Sequence, residues 1–359
     1  MDDLMERYLS VCAELQQPTH ASVLEVLGNN KSSDCCLKLA GNDQPGARLT
    51  DDDMLVLTKT LEGNSAIKGL DLRYNCITDK GAVHIAHLIQ DSKSLQSLDL
   101  MCNDIEADGA EVIAKSLHKN ITLKTLRMTG NKIGNQGAMQ LATMLQINAT
   151  LEEVDVSDCD LEETTVHMAQ MLVVNNTLKE LHMGKHDMTD TGVETLCEAL
   201  KRNISLRYLD LCCNRITRDG AKHLSEVLKQ NCSLEILDLS FNCIEDVGAI
   251  HLSEAIKLPH SKLKALSVTS NKIRKGGLLS LSAAMRVNSS LTHIYIWGNK
   301  HEEPVCEAFS GLMSSGRLLK EHTDVSPYEV DGHVFLAEAS HGLRRHYYWT
   351  SRYGQDRDS

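Results

Sequence analysis

Aromatic side chains are scarce in this chain: three Phe, eight Tyr and two Trp among 359 residues. A globular core usually takes its bulk from such rings, so burial here must come from many small aliphatic contacts. Basic charge is also short. With 37 Lys and Arg against 49 Asp and Glu, the net charge of −12 disfavours nucleic acid as the main ligand, because neutralising phosphates needs a basic surface. The balance points instead to protein partners, neutral or basic, whose long-range attraction is screened at physiological salt. No apolar run reaches the roughly 18 residues of a membrane-spanning helix, so no membrane association is expected.

The opening Met1-Asp2-Asp3-Leu4-Met5-Glu6-Arg7 is acidic and lacks the apolar stretch of a secretion signal. The twelve cysteines resemble a disulfide set only until they are placed, for Cys76, Cys102, Cys213 and Cys243 fall inside a repeating pattern. Reduced thiols in a cytosolic or nuclear protein are therefore expected.

That pattern is the dominant signal. Ile67, Leu70, Leu72, Asn75 and Ile77 are followed by Gly81-Ala82 and then Ile85, Ala86 and Ile89. The frame returns at Leu95, Leu98, Leu100, Asn103, Ile105 and Gly109-Ala110, and again at Leu123, Leu126, Met128, Asn131, Ile133 and Gly137-Ala138. Successive slots are Asn75, Asn103, Asn131, Cys159, His186, Asn214, Asn242, Asn271 and Asn299, spaced by 28 residues except for one step of 27 and one of 29. A degenerate first rung precedes them at Leu37, Leu39 and Asn42, making about ten.

Each part of the frame has a physical task. The alternating Leu-x-Leu puts both leucines on one side of a short strand. Ala82, Ile85, Ala86 and Ile89 make one face of a helix, and the Gly-Ala pair lets neighbouring helices approach closely. One strand and one helix cannot bury their own apolar faces, so the rungs must stack. The asparagine amide both donates and accepts, which suits the unpaired backbone of the turn out of the strand. Between Ser157 and Val166 the Gly-Ala pair is missing and the period is one short, so an irregularity is expected over 157–188, the scar of a lost repeat.

The 28-residue Leu-x-x-Leu-x-Leu-x-x-Asn-x-Ile period with its helical half resembles the ribonuclease-inhibitor type of leucine-rich repeat, over about residues 35–315. The resemblance implies an α/β solenoid, a right-handed horseshoe with parallel strands on the concave face and helices on the convex face, acting as a protein–protein interaction scaffold and not as an enzyme. The segments Leu126–Lys132, His293–Lys300, Val330–Val334 and His346–Thr350 carry a closer likeness within that class. It implies a nuclear, nucleolar and cytoplasmic protein linked to stem-cell maintenance and differentiation, with nucleolar and basic protein partners.

The domain organisation expected is an N-terminal helical cap over 1–34, the solenoid over 35–315 and a C-terminal cap or tail over 316–359. Residues 320–359 hold six of the thirteen aromatics, with a basic–aromatic cluster of Arg344, Arg345, His346, Tyr347, Tyr348 and Trp349. This segment reads as a cap on the last rung, as a partner-binding tail, or as a nucleic-acid contact through stacking.

Strand alternation names the candidate binding residues. Asp71, Asp99, Asp155, Asp210 and Asp238 recur in one outward column, interrupted by Arg127 and His182, and would suit a basic partner. Tyr295 and Trp297 point the same way and read as exposed aromatic anchors, unless the tail covers them. Arg344, Arg345, Tyr348 and Trp349 complete the set.

Catalytic motifs are not found: there is no phosphate loop and no His-Glu-x-x-His, and the Cys35-Cys36 and Cys212-Cys213 pairs lack metal or redox spacing. His84 and His87 read as surface or packing residues. No metal, cofactor or catalytic residue is expected, and the chain is read as a monomer. Two further readings stay open. A GTPase-activating protein of this repeat type would need an arginine or asparagine beside a bound GTPase, and Arg73, Arg127 and Arg215 are available, although the acidic tail of that family has no counterpart here. An RNA-associated nucleolar factor would act through residues 344–353. Sequons at Asn120, Asn148, Asn175, Asn203, Asn231 and Asn288 share one register, the turn between repeats, and read as repeat grammar.

Overall fold

The computed structural model describes residues 2–29, 35–42, 46–161, 165–230 and 233–339. The chain divides into two compact units, Met1–Leu178 and Lys179–Ser359.

The first unit opens with helices α1 (Asp2–Leu15) and α2 (Ala21–Asn29). Strands and helices then alternate: β1 (Cys36–Lys38), α3 (Asp51–Leu61), β2 (Gly69–Asp71), α4 (Asp79–Asp91), β3 (Ser97–Asp99), α5 (Ala107–Leu117), β4 (Thr125–Arg127), α6 (Gly134–Leu145), β5 (Glu153–Asp155) and α7 (Thr165–Val174). The strands pair in parallel and in sequence order, with Leu37, Leu70, Leu98, Leu126 and Val154 in one register row. Tyr8 of α1 is buried and its hydroxyl accepts a hydrogen bond from the His20 N–H at 2.9 Å. Arg7 donates to the Lys59 carbonyl at 3.1 Å, so the N-terminal helices are tied to the first helix of the array.

The second unit runs β6 (Glu180–His182), α8 (Asp190–Leu200), β7 (Tyr208–Asp210), α9 (Arg218–Gln230), β8 (Ile236–Asp238), α10 (Glu245–Ile256), β9 (Ala265–Ser267), α11 (Lys275–Val287), β10 (His293–Tyr295) and α12 (Glu303–Ser314). Its strands are again parallel, with Leu181, Leu209, Leu237, Leu266 and Ile294 in register. A 3-10 turn (Lys320–His322) leads to an antiparallel hairpin, β11 (Val325–Val330) and β12 (His333–Glu338). Asp331 and Gly332 turn that hairpin with positive φ of 51° and 78°, the conformation that Asp-Gly adopts readily.

Both units thus have the α/β repeat architecture the period implies, and three ladders of polar side chains hold the rungs together. The first is the asparagine slot. Asn103 donates to the Leu72 and Leu100 carbonyls at 2.9 and 3.0 Å and accepts from the Ile77 N–H at 3.1 Å, so it bonds its own rung and the one before. Asn75, Asn131, Asn214, Asn242, Asn271 and Asn299 bond in the same way. Just before each slot the backbone is left-handed, at Tyr74, Cys102, Gly130, Asp158, Lys185, Cys213, Phe241, Ser270 and Gly298. That conformation costs a bulky residue about 1–2 kcal/mol, and the amide's bonds offset it. Cys159 keeps the donation, to the Met128 carbonyl at 3.1 Å, but a thiol has no amide carbonyl with which to accept.

The sequon asparagines form the second ladder. Asn148 donates to the Leu117 carbonyl at 2.8 Å and accepts from the N–H groups of Thr150 and Leu151, and Asn120, Asn175 and Asn288 bond alike. They satisfy the last carbonyls of the preceding rung's helix, which otherwise lack partners.

The third ladder explains the conserved shape of the Gly-Ala corner within the repeat. Asp51 at the start of α3 accepts from the Thr78 and Gly81 N–H groups of the next helix, at 2.8 and 2.9 Å. Asp79 does this for Glu106 and Gly109, Asp190 for Thr217 and Gly220, and Asp246 for Arg274 and Gly277. The carboxylate lies where a side chain would be: a Cβ on Gly81 would come within 2.5 Å of the Asp51 Oδ1. Glycine is required there to admit a carboxylate as well as to bring helices close.

Candidate partner-binding site

The side chains that alternate away from the leucine rows are the candidates for contact, and each unit presents its own set. In the first unit, Asp71, Arg73, Arg127 and Asp155 are half-buried and Asp99 is buried. They are not a bare acidic column. Arg73 donates through both Nε and an Nη to Asp71 at 2.9 Å and lies 3.6 Å from Asp99. Arg127 lies 3.7 Å from Asp99 on its other side and binds Glu153 at 2.6 and 2.7 Å. Carboxylate and guanidinium therefore alternate from β2 to β5: Asp71, Arg73, Asp99, Arg127, Glu153. Burial pushes the Asp99 carboxyl up to about 6, with the Met101 N–H and the two guanidinium groups opposing it. Burial works against the Arg127 charge, but Glu153 and Asp99 outweigh it and hold that guanidinium above its usual range. Asp155 accepts from the Ser157 N–H at 2.9 Å.

This arrangement corrects two expectations. The aspartates of β2 and β3 are largely answered by arginines, Arg73 two positions along from Asp71 and Arg127 directly opposite Asp99, so they are not open acceptors for a basic ligand. Arg73 and Arg127 are spent in the same chain and do not project as free catalytic arginines. Arg215 is two-thirds exposed and pairs with an equally exposed Asp187 at 2.7 Å.

The second unit differs. His182, Asp210, Asp238, Ser267 and Tyr295 occupy the corresponding column, and all five are less than a tenth exposed. Beside them Tyr208, Ile236 and Ala265 join Tyr295 in a buried apolar cluster. Tyr295 is thus 6% exposed, not an open anchor, because its ring packs into that cluster. Trp297 is half-buried, with its ring 5.6 Å from that of His301.

Among the described residues, a histidine and neutral donors face the carboxylates here. His182 Nδ1 lies 3.3 Å from Asp210 and its ring meets Tyr208 edge-on at 4.6 Å. Burial pushes the Asp210 carboxyl up, but the hydrogen bond and charge of His182 more than offset this and hold it below the usual range. Asp238 is met by Ser240, whose N–H donates at 2.8 Å; burial and the Asp210 charge push it up to about 7.

At the end of this face the chain closes on itself. Asp324, fully buried, accepts from the Ile296 and Trp297 N–H groups at 2.8 and 3.0 Å and from the Thr269 hydroxyl at 2.9 Å. It satisfies the outer edge of the last strand, which would otherwise offer unpaired donors. His293 of β10 stacks on His322 at 3.8 Å, and burial together with His322 lowers it to about 4.

Sequence reasoning missed the ion chain and the buried apolar cluster. Their signal is opposite charge, or aromatic with aliphatic, in adjacent columns one period apart. His84 and His87 line a groove between α3 and α4 with Leu55 and Leu88. Arg344, Arg345, Tyr348 and Trp349 lie outside the described residues, as do residues 30–34 of the expected N-terminal cap.

The Leucine Rich repeat family matches residues 63–86, 91–114, 119–142, 174–197, 202–225, 230–253 and 260–282, passing over the rung that the asparagine spacing marks as irregular. Leucine-rich repeat-containing protein 34 of Mus musculus is 50% identical over 396 residues, covering 99% of this chain and 95% of the mouse protein. That aligned length exceeds the 359 residues here, so the mouse protein has residues without a counterpart in this chain. Leucine-rich repeat-containing protein 34 of Homo sapiens is 56% identical over 197 residues, covering 55% of this chain and 42% of the human protein. Among solved structures, a chain in the crystal structure of the Rad7 and Elc1 complex in yeast is 14% identical with a TM-score of 0.43, covering 83% of this chain and 88% of that one. Among the described residues no helix is long and apolar enough to cross a membrane.

Proposed function

The chain belongs to the leucine-rich repeat proteins, in the family of leucine-rich repeat-containing protein 34, and from that premise we propose that it is a non-catalytic scaffold holding partner proteins on its strand faces. The observation that carries this reading is the half-exposed row on the first unit. Asp71 and Arg73 stand on the β2 rung, Arg127 two rungs on and Asp155 one rung beyond it, with strands about 4.8 Å apart. The ion chain holds Asp71, Arg73 and Arg127, and the Ser157 N–H holds Asp155, before any partner arrives, which lowers the entropy lost on binding. A partner that meets a row of alternating charge, with a basic group against Asp155, suits this face better than a uniformly basic one.

By family membership we assign the protein to the nucleus, nucleolus and cytoplasm, with a role in stem-cell maintenance and differentiation. Proximity labelling of the tagged chain in differentiating cells tests both readings. The fourfold variant Asp71→Asn, Arg73→Gln, Arg127→Gln and Asp155→Asn is expected to lose specific neighbours while remaining folded. An unchanged set of neighbours would overturn binding at this face.

A further inference from the structure

A helix ends on carbonyls that lack partners within it, so its last turn carries partial negative charge and favours a cation. In the first unit α5 follows this rule, with Lys115 in its last turn. Helix α4 breaks it. Its last turn has no basic residue and closes on Asp91, at the position that Lys119 holds one 28-residue period later. Glu62, at the end of α3, brings a second carboxylate to the same groove. Both are exposed, and neither belongs to an ion pair among the described residues. Lys59 also lines the groove, but it lies 3.7 Å from Glu14 of α1.

The groove between α3 and α4 encloses about 270 Å³. Pockets for drug-sized molecules run to about 300–1,000 Å³, so this one is matched to a single long side chain. Buried Leu88 and half-buried Leu55 give it apolar surface. His84 and His87 stand a turn apart on α4 beside them; burial, and then the charge of His87, hold His84 below its usual range, so its ring is neutral at physiological pH. Among the described residues, no three of Glu62, His84, His87 and Asp91 draw ligand atoms together as a metal ion requires. An organic cation with an apolar stem fits better. A lysine ammonium is compact and strongly hydrated, whereas a guanidinium is planar, weakly hydrated and stacks on aromatic rings. It also binds carboxylates through paired hydrogen bonds, and its methylenes lie along apolar surface. We propose that this groove receives an arginine side chain of a partner protein, with its methylenes on Leu55 and Leu88 and its guanidinium among His84, His87, Glu62 and Asp91. Such a contact presupposes the scaffold reading and adds to it an anchor on the helices of the first unit, separate from the strand row.

The test titrates the full chain with acetyl-arginine methylamide and follows the methyl resonances of Leu55 and Leu88 and the imidazole resonances of His84 and His87. Saturable shifts in the millimolar range are expected at these residues, several-fold weaker with acetyl-lysine methylamide and absent with acetyl-norleucine methylamide. Asp91→Lys puts into the groove the cation that the next rung carries. It should abolish the shifts and keep the urea midpoint at or above that of the wild type, because a lysine suits the helix end. Glu62→Gln with Asp91→Asn should weaken binding at least about tenfold, and decides the matter if the lysine disturbs α4. The fourfold variant of the strand row should bind the probe unchanged, so loss of partners at the strands and loss of arginine at the helices are separate failures. Wild-type protein without saturable shifts, or shifts that persist in both groove variants, overturns the proposal. Lysine binding as tightly as arginine, or spermidine binding more tightly than either, also overturns it, by assigning the groove to cations of any kind or to a free polyamine.

Discussion

On β3 the aspartate of the outward column, Asp99, stands between two guanidinium groups. On β8 its counterpart, Asp238, is met by a serine and by the charge of another carboxylate. The repeat frame places both at the same strand position, yet one belongs to a half-open, ion-paired row and the other to a closed apolar face. The frame fixes where a side chain starts. Its environment is decided by the residues one rung away or two positions along, whose types the frame leaves free.

The contrast can be broken most sharply at Tyr208. Truncating this buried ring, Tyr208→Ala, should cost about 3–5 kcal/mol, read as a lower midpoint in urea. The residue in the same column of β4 is half-exposed, and Thr125→Ala there should stay within about 0.5 kcal/mol. Equal effects would mean the two faces are equally open. Next in size is Arg127→Ala, which leaves Asp99 and Glu153 without their shared cation; because Arg127 is a quarter exposed, the loss should be about 1–3 kcal/mol.

Gly81→Ala and Gly220→Ala probe what the two units share. Each added methyl meets an aspartate oxygen at 2.5 Å, so each should cost a similar amount, about 1–3 kcal/mol. A large cost in one unit alone would show that the carboxylate ladder differs between them.

Dependence on pH sharpens the comparison further. An unfolded aspartate releases its proton near pH 4, whereas folded Asp238 keeps it to about 7 and Asp99 to about 6. Between those limits the native state binds more protons, so stability falls as pH rises through each window. Asp238→Asn should flatten the decline between about pH 4 and 7, and Asp99→Asn only that between about 4 and 6. Urea midpoints measured across this range decide it; an unchanged slope in Asp238→Asn sinks the account. The smallest effect belongs to Arg215→Ala, whose partner is as exposed as itself, with a loss of about 0–1 kcal/mol that salt should erase.

Much of the fold was legible because burial of Leu70, Leu98 and Leu126 must recur whenever a strand recurs. The asparagine slots were legible for the same reason. What stayed hidden depends on contacts between residues about one period apart whose types vary. Nothing in Asp71, Arg73, Asp99 and Arg127 read singly announces a chain of ion pairs, and Tyr295 reads as exposed until Tyr208, Ile236 and Ala265 are beside it. The carboxylate ladder was half-legible, since glycine at the helix start was visible but the aspartate that fills its space lies in the previous rung.

That ladder also gives the array a direction. The group completing the first turn of α4 is Asp51, and those completing α5, α9 and α11 are Asp79, Asp190 and Asp246. In each case the acceptor is synthesised before the helix that needs it. A chain emerging from the ribosome therefore meets, at these helices, an acceptor already made. Loss of residues from the front should strand the next helix without its anion, whereas loss from the back leaves every helix already formed with its start intact.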